Sequence, residues 1–263
     1  MGMNTSTSTK PVAFITGGAG GLGEATARLL ASDYQVVVSD LDLDACEKVA
    51  REIGGVGIVC DVNSAASVAA CIAKIESTVG PVDAMAHFAG IIQERRYTPE
   101  EFDQDRWDQI FGVNARGTWI VCREVGARMA QRHRGSIVTI ASVAGHRSWP
   151  THAYAASKAA VLSITKNLAS EWGRSGVRVN SVTPGFTMTP HMRKLQAAKG
   201  WTTDRISKQT PLGRWLEPHE IAEGVAFLLS AKASAMTGID LAIDGGWLAG
   251  INWGSHSGLP GSR

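Results

Sequence analysis

Tyr154 and Lys158 stand four residues apart in the run Ala153-Tyr154-Ala155-Ala156-Ser157-Lys158. In a helix that spacing puts both side chains on one face, one turn apart. A free phenol titrates near pH ~10 and is a poor base at neutral pH. An ammonium about 4 Å away contributes about 4 kcal/mol at an effective dielectric of about 20, enough to lower that pKa by about three units. The pair is therefore expected to move a proton. Such a pair is also common on solvated helices, so its meaning depends on its surroundings.

The second chemistry-bearing stretch is Thr16-Gly17-Gly18-Ala19-Gly20-Gly21-Leu22-Gly23, which follows an apolar β-branched run and opens a helical pattern. Glycines there let the backbone turn tightly and approach a pyrophosphate, and the helix N-terminus presents free N–H groups to the anion. Asp40 closes the next β-branched run, 17 residues after Gly23. A carboxylate at that place accepts hydrogen bonds from the ribose hydroxyls of NAD and repels the 2′-phosphate of NADP. No Arg or Lys lies in the glycine loop, and Leu41 follows Asp40, so NAD is the expected cofactor.

Both stretches need a scaffold that brings them together. Seven short runs read as strands: Val12–Thr16, Gln35–Ser39, Gly57–Cys60, Val82–His87, Ser136–Ala141, Val177–Val182 and Ile239–Ile243. Several are apolar on both faces, as strands covered by helices on both sides must be. Helical segments such as Gly21–Ala31, Ala45–Ile53 and Ser64–Val79 alternate with them. The expected fold is a single α/β domain of Rossmann type, a doubly wound parallel sheet of about seven strands flanked by helices. It should span residues 10–250, between a flexible tail at 1–9 and another at 251–263. Residues 186–216, with Pro190 and Pro211, read as a longer irregular segment placed where a substrate lid would lie.

With these residues assembled, the sequence resembles the short-chain dehydrogenase/reductase family, in its short single-domain branch. Thr16-Gly17-xxx-Gly21-x-Gly23 matches the family's cofactor motif, with Leu22 inside it. Asp61-Val62 matches the pair that contacts the adenine ring. Ala89-Gly90 keeps the second half of a motif that usually reads Asn-Asn-Ala-Gly; here it begins His87-Phe88. Pro184-Gly185, with Thr187 and Thr189 after it, looks like the nicotinamide-side loop. Asn114, Ser142, Tyr154 and Lys158 match the catalytic tetrad in type, order and spacing.

The resemblance implies roles. Tyr154 would exchange the proton of a substrate hydroxyl while hydride passes to or from the nicotinamide, and Ser142 would hold the substrate oxygen. Lys158 would lower the tyrosine pKa and hold the ribose. Asn114, placed just before a helix, would support the lysine through a bound water. It also implies a homotetramer, or next a dimer, with the alanine-rich Tyr154 helix and the segment from Asp244 to Trp253 as contact surfaces.

Other features narrow the reading. The formal charge is +2, and the basic residues form no long run, which gives nucleic acid and anionic membranes no footing as main partners. Arg128, Arg132, His133 and Arg134 read as cations at a helix C-terminus. Arg95 and Arg96 lie among Glu94, Glu100 and Glu101 and read as a solvated loop. The seven histidines and four cysteines lack zinc spacing, so no metal is expected. No signal peptide or apolar span is visible, so reduced, buried thiols and a cytoplasmic location are expected.

His87 reads as a satisfied structural residue. His146, Trp149 and His152, between Ser142 and Tyr154, could form a polar pocket wall, although Trp149 could equally pack as core. That wall gives a weak lean towards a polyol or sugar alcohol as substrate, exchanged with its ketone. The alternatives are an NADPH-dependent 3-oxoacyl-type reductase, which Asp40 opposes, an epimerase of the extended branch, which the length opposes, and a non-catalytic NAD-binding protein, which the filled tetrad opposes.

Overall fold

The computed structural model describes residues 10–93, 97–199 and 203–250. Both expected tails, and Glu94, Arg95 and Arg96, lie outside the described residues. Seven strands form one parallel sheet: β1 (Val12–Thr16), β2 (Gln35–Asp40), β3 (Val56–Val59), β4 (Val82–His87), β5 (Gly135–Ile140), β6 (Val177–Pro184) and β7 (Asp240–Ile243). Their order is β3-β2-β1-β4-β5-β6-β7, with every neighbouring pair parallel. The chain winds outward from β1 to β3, then crosses back to β4 and winds the other way. The reversal between β1 and β4 leaves a crevice at the carboxyl ends of the strands, where ligands bind in open α/β sheets.

The β-branched runs become strands because both faces of the sheet are covered. On one face α1 (Gly21–Leu30), α2 (Leu43–Ile53) and α9 (Pro218–Leu229) pack on Ile15, Val36, Val38 and Val138. On the other, α3 (Ala65–Thr78), α5 (Thr118–Gln131) and α6 (His152–Trp172) pack on Phe14, Val37, Met85 and Ile137. The remaining helices are α4 (Gln104–Phe111), α7 (Pro190–Lys199), α8 (Asp204–Gln209) and the short α10 (Trp247–Gly250).

The expected lid is helical rather than irregular, since α7 and α8 occupy much of it. Pro190 is the first residue of α7, where its missing N–H costs nothing. Thr189 Oγ1 accepts from the Met192 N–H at 3.3 Å, as an N-cap does. A bridge between Thr187 and Leu216 pins the two ends of this segment together.

The cationic cluster after α5 is neutralised locally. Arg128 pairs with Glu124 and Glu76, Arg132 with Glu76, and Arg134 with Asp83. All four cysteines are free and buried. Among the described residues no helix is long and apolar enough to cross a membrane, and no group of three or more His, Cys, Asp or Glu gathers as a metal site would.

Candidate active site

A cleft of about 970 Å³ runs along the carboxyl ends of the strands. At one end it is lined by Gly17, Leu22, Gly23, Asp40, Asp61 and Val62, and further along by Ala89, Gly90, Ser142, Tyr154, Lys158, Pro184, Gly185, Thr187 and Thr189. Of the cofactor-binding and catalytic residues expected from the sequence, only Gly21 and Asn114 are not in its lining. An added Cβ on Gly21 would stand 3.8 Å from Thr189 Cγ2.

The glycine loop is tight for a stated reason. Gly17 has φ +63°, and a Cβ there would lie 2.6 Å from the Ala89 nitrogen. A Cβ on Gly23 would lie 2.1 Å from the Gly17 carbonyl oxygen. The loop thus closes against the end of β4 and keeps the first turn of α1 open to the cleft. Asp40, at the end of β2, accepts from the Leu41 N–H at 2.8 Å. Among the described residues Lys158 is the only Lys or Arg in the lining, and it lies at the far end. The cradle that side chains would fill, with the Asp40 carboxylate at its end, fits a dinucleotide.

Lys158 is 6% exposed, and its Nζ donates to the Ile140 carbonyl at 2.8 Å. Burial pushes its pKa down to about 8. Ser142 beside Tyr154 favours the phenolate, but burial outweighs this and raises the tyrosine pKa. The expectation of a lysine-depressed tyrosine is therefore corrected for the protein itself. The ammonium stands 5.8 Å from the centre of the Tyr154 ring, and loss of hydration governs both groups.

Asn114 lies inside a π-helical turn, Gly112–Gly117, that joins α4 to α5 without a break. The expectation that it precedes a helix is thus corrected, and such turns recur at functional sites. Its amide is fully engaged. Oδ1 accepts from the Ile91 N–H at 2.8 Å, while Nδ2 donates to the Ile91 carbonyl at 2.9 Å and to Ser157 Oγ at 3.0 Å. Asn114 thereby clamps the chain after β4 to α6. An added Cβ on Gly90 would lie 3.2 Å from Asn114 Oδ1 and 3.6 Å from Lys158 Nζ, so both side chains converge on that glycine.

The polar wall expected from His146, Trp149 and His152 does not line the cleft. His146 Nε2 lies 3.0 Å from Asp240 Oδ2 and 3.1 Å from Thr183 Oγ1, which ties the loop after Ser142 to β6 and β7. Trp149 packs with Phe186 and Trp247 in a ring cluster, the core alternative. His87 is 2% exposed and meets Thr16 Oγ1 through Nδ1 at 2.8 Å, but its buried Nε2 has no partner among the described residues. The ring is only half satisfied, and burial with the nearby Lys158 charge pushes its pKa down to about 3.

Sequence reasoning singled out none of Ile91, Ile92 and Gln109 in the lining, and reached Phe186, His191, Met192, Ile206 and Trp215 only as part of the expected lid. Phe186 directly follows Pro184-Gly185 and could have been inferred from its place. Gln109 and His191 carry no signal in the sequence.

A doubly wound sheet with a glycine cradle, an acidic β2 end and a Ser-Tyr-Lys cluster in one cleft defines a dinucleotide-dependent oxidoreductase. Comparison with known proteins agrees. A family model described as enoyl-(acyl carrier protein) reductase matches residues 17–248. A D-threitol dehydrogenase from Mycolicibacterium smegmatis is 37% identical over 243 residues, which cover 90% of this chain and 92% of that one. A galactitol 2-dehydrogenase (L-tagatose-forming) from Cereibacter sphaeroides is 36% identical over 242 residues, 89% of this chain and 94% of that one.

Among solved structures, one described as ribose-5-phosphate isomerase from Brucella melitensis 16M is 43% identical with a TM-score of 0.92, covering 96% of this chain and 98% of its own. An actinorhodin polyketide ketoreductase with NADPH is 30% identical with a TM-score of 0.85, covering 91% of this chain and 98% of its own. The chain belongs to the short-chain dehydrogenase/reductase family. It is an oxidoreductase whose family uses a nicotinamide dinucleotide.

Proposed function

We propose that this protein interconverts a secondary alcohol and its ketone with NAD, and that polyols or sugar alcohols are its substrate class. One observation carries the reading: Ser142, Tyr154 and the buried Lys158 line the same cleft as the glycine cradle and Asp40. The cradle, Asp40, Asp61 and Val62 would hold the adenine and phosphate half of the cofactor, and Ala89, Gly90, Pro184, Gly185, Thr187 and Thr189 the other half. NAD, when bound, supplies a hydride acceptor at its nicotinamide ring.

The chain's own residues handle the proton and the geometry. Ser142 orients the substrate oxygen, and Tyr154 takes or returns the hydroxyl proton. Lys158, fixed on the Ile140 carbonyl, places a positive charge behind the phenol. Asn114 holds Ile91 and Ser157, and with them the wall and the helix that carry Tyr154 and Lys158. The α7–α8 segment serves as the lid over the substrate.

The names of the threitol and galactitol relatives support the substrate class; the half-polar wall read from the sequence no longer does. On this reading the protein is a cytoplasmic homotetramer. The half-exposed Trp107 on α4 and Trp119 on α5 give copies an apolar surface to bury, and sedimentation measures that directly.

The test is spectrophotometric. Wild-type protein should turn over polyols with NAD, and Tyr154→Phe should lose at least a thousandfold in kcat while binding NADH as before. Retention of most activity by that variant would sink the assignment. An NADPH-dependent 3-oxoacyl-type reductase is the second reading, favoured by the likeness to the NADPH-bound ketoreductase and opposed by Asp40. Strong preference for NADPH would move the conclusion there.

A further inference from the structure

The substrate end of the cleft divides by chemistry. Ile91, Ile92, Phe186, Met192, Ile206 and Trp215 make most of its walls apolar. Among the described residues the polar side chains that interrupt them include Gln109 from α4 and His191 from the start of α7, both solvent-exposed and so at the mouth.

Gln109 is held in one orientation. Arg106 Nη1 donates to Gln109 Oε1 at 2.6 Å, and Arg106 Nη2 donates to the Ile92 carbonyl at 3.2 Å. A guanidinium has only donors, so the amide oxygen must face it. The Gln109 NH2 is what remains to face a ligand. His191, on the lid helix, adds a ring nitrogen that can donate or accept.

We propose that Gln109 and His191 recognise a hydroxyl remote from the reacting carbon, and that Arg106 is a positioning residue that aims the Gln109 amide. The substrate would then be a diol or polyol whose second oxygen reaches the mouth while its carbon chain passes the apolar walls. This rests on the alcohol dehydrogenase reading and deepens it. A polar site rejects analogues that lack the matching group, because its own donors are left unpaired.

The experiment compares kcat/KM with NAD for D-threitol and galactitol against 2-butanol and 2-hexanol, in wild type, Gln109→Leu, Arg106→Leu and Arg106→Lys. The polyol-to-monohydric ratio should fall about tenfold in Gln109→Leu, through the polyol KM, as loss of one hydrogen bond of about 1.4 kcal/mol requires. Arg106→Leu should move the ratio the same way by a smaller factor, and Arg106→Lys should restore part of it.

Equal losses on both alcohol classes would mark Gln109 as structural and overturn the inference. So would a wild-type ratio that Gln109→Leu leaves untouched. Either result leaves the dehydrogenase reading standing. Turnover of neither class by wild type would overturn that reading, and this inference with it.

Discussion

Replacing His87 with Asn should make the fold less sensitive to acid. The imidazole is 2% exposed between Thr16 of β1 and Thr139 of β5, and its pKa is pushed down to about 3 from an ordinary 6.5. Between those two values the unfolded chain binds a proton that the folded chain refuses. Stability therefore rises with pH across that window and is lost as pH falls, by about 1.4 kcal/mol per unit. At pH 5 the loss from this one ring is about 2 kcal/mol relative to pH 7.5.

Asn at this position cannot titrate, and its amide can still meet Thr16. The assay is urea unfolding of both proteins at pH 7.5 and pH 5. The difference between the two pH values should be about 2 kcal/mol smaller for His87→Asn, and taking differences cancels the fixed cost of the substitution and the other six histidines. The same pH dependence in both proteins would refute the placement of a neutral, buried imidazole beside Lys158.

Asp40→Ser should weaken NAD binding several-fold and improve NADP binding at least tenfold, since a like charge beside the 2′-phosphate is removed; paired fluorescence titrations measure both, and an unchanged NADP affinity would count against the role of Asp40. Asn114→Ala strands the Ile91 N–H, the Ile91 carbonyl and Ser157 Oγ, so it should cost about 2–4 kcal/mol in stability and lower kcat; chemical unfolding and steady-state kinetics report the two effects. Lys158, with its pKa lowered to about 8 against 10.5, disfavours the fold while charged. The unfolded chain holds that proton longer as pH rises, so wild type should gain about 3 kcal/mol between pH 8 and 10.5 relative to Lys158→Met, and parallel unfolding curves would contradict this.

The scaffold was legible because a parallel sheet buried on both faces writes itself as short β-branched runs. All seven strands were found, with ends one or two residues out where a run such as Val177–Val182 extends to Pro184. The cleft was legible because it hangs on the ends of those strands and on glycines that tolerate no Cβ. Two things were not.

A π-turn at Asn114 adds no punctuation to the sequence: the residues from Gln104 to Gln131 are helical throughout, and only the ladder of hydrogen bonds shifts. The direction of side chains in a loop is equally silent. His146, Trp149 and His152 lie between Ser142 and Tyr154 in the chain, yet His146 turns to Asp240 and Trp149 to a ring cluster. Pro190 misled for a different reason, since a proline that begins a helix looks in sequence like one that breaks it.

The electrostatics of the tetrad separates spacing from burial. Four residues on a helix put Tyr154 and Lys158 on one face, and opposite charges in contact should draw the tyrosine pKa down and the lysine pKa up. Both move the other way. The ammonium faces the ring, 5.8 Å from its centre. Burial disfavours each charged form and prevails in both groups. The lysine's bond to the Ile140 carbonyl spends one of its donors away from the phenol. A phenol tuned this way holds its proton at neutral pH, so the helical spacing of Tyr154 and Lys158 does not by itself make a base.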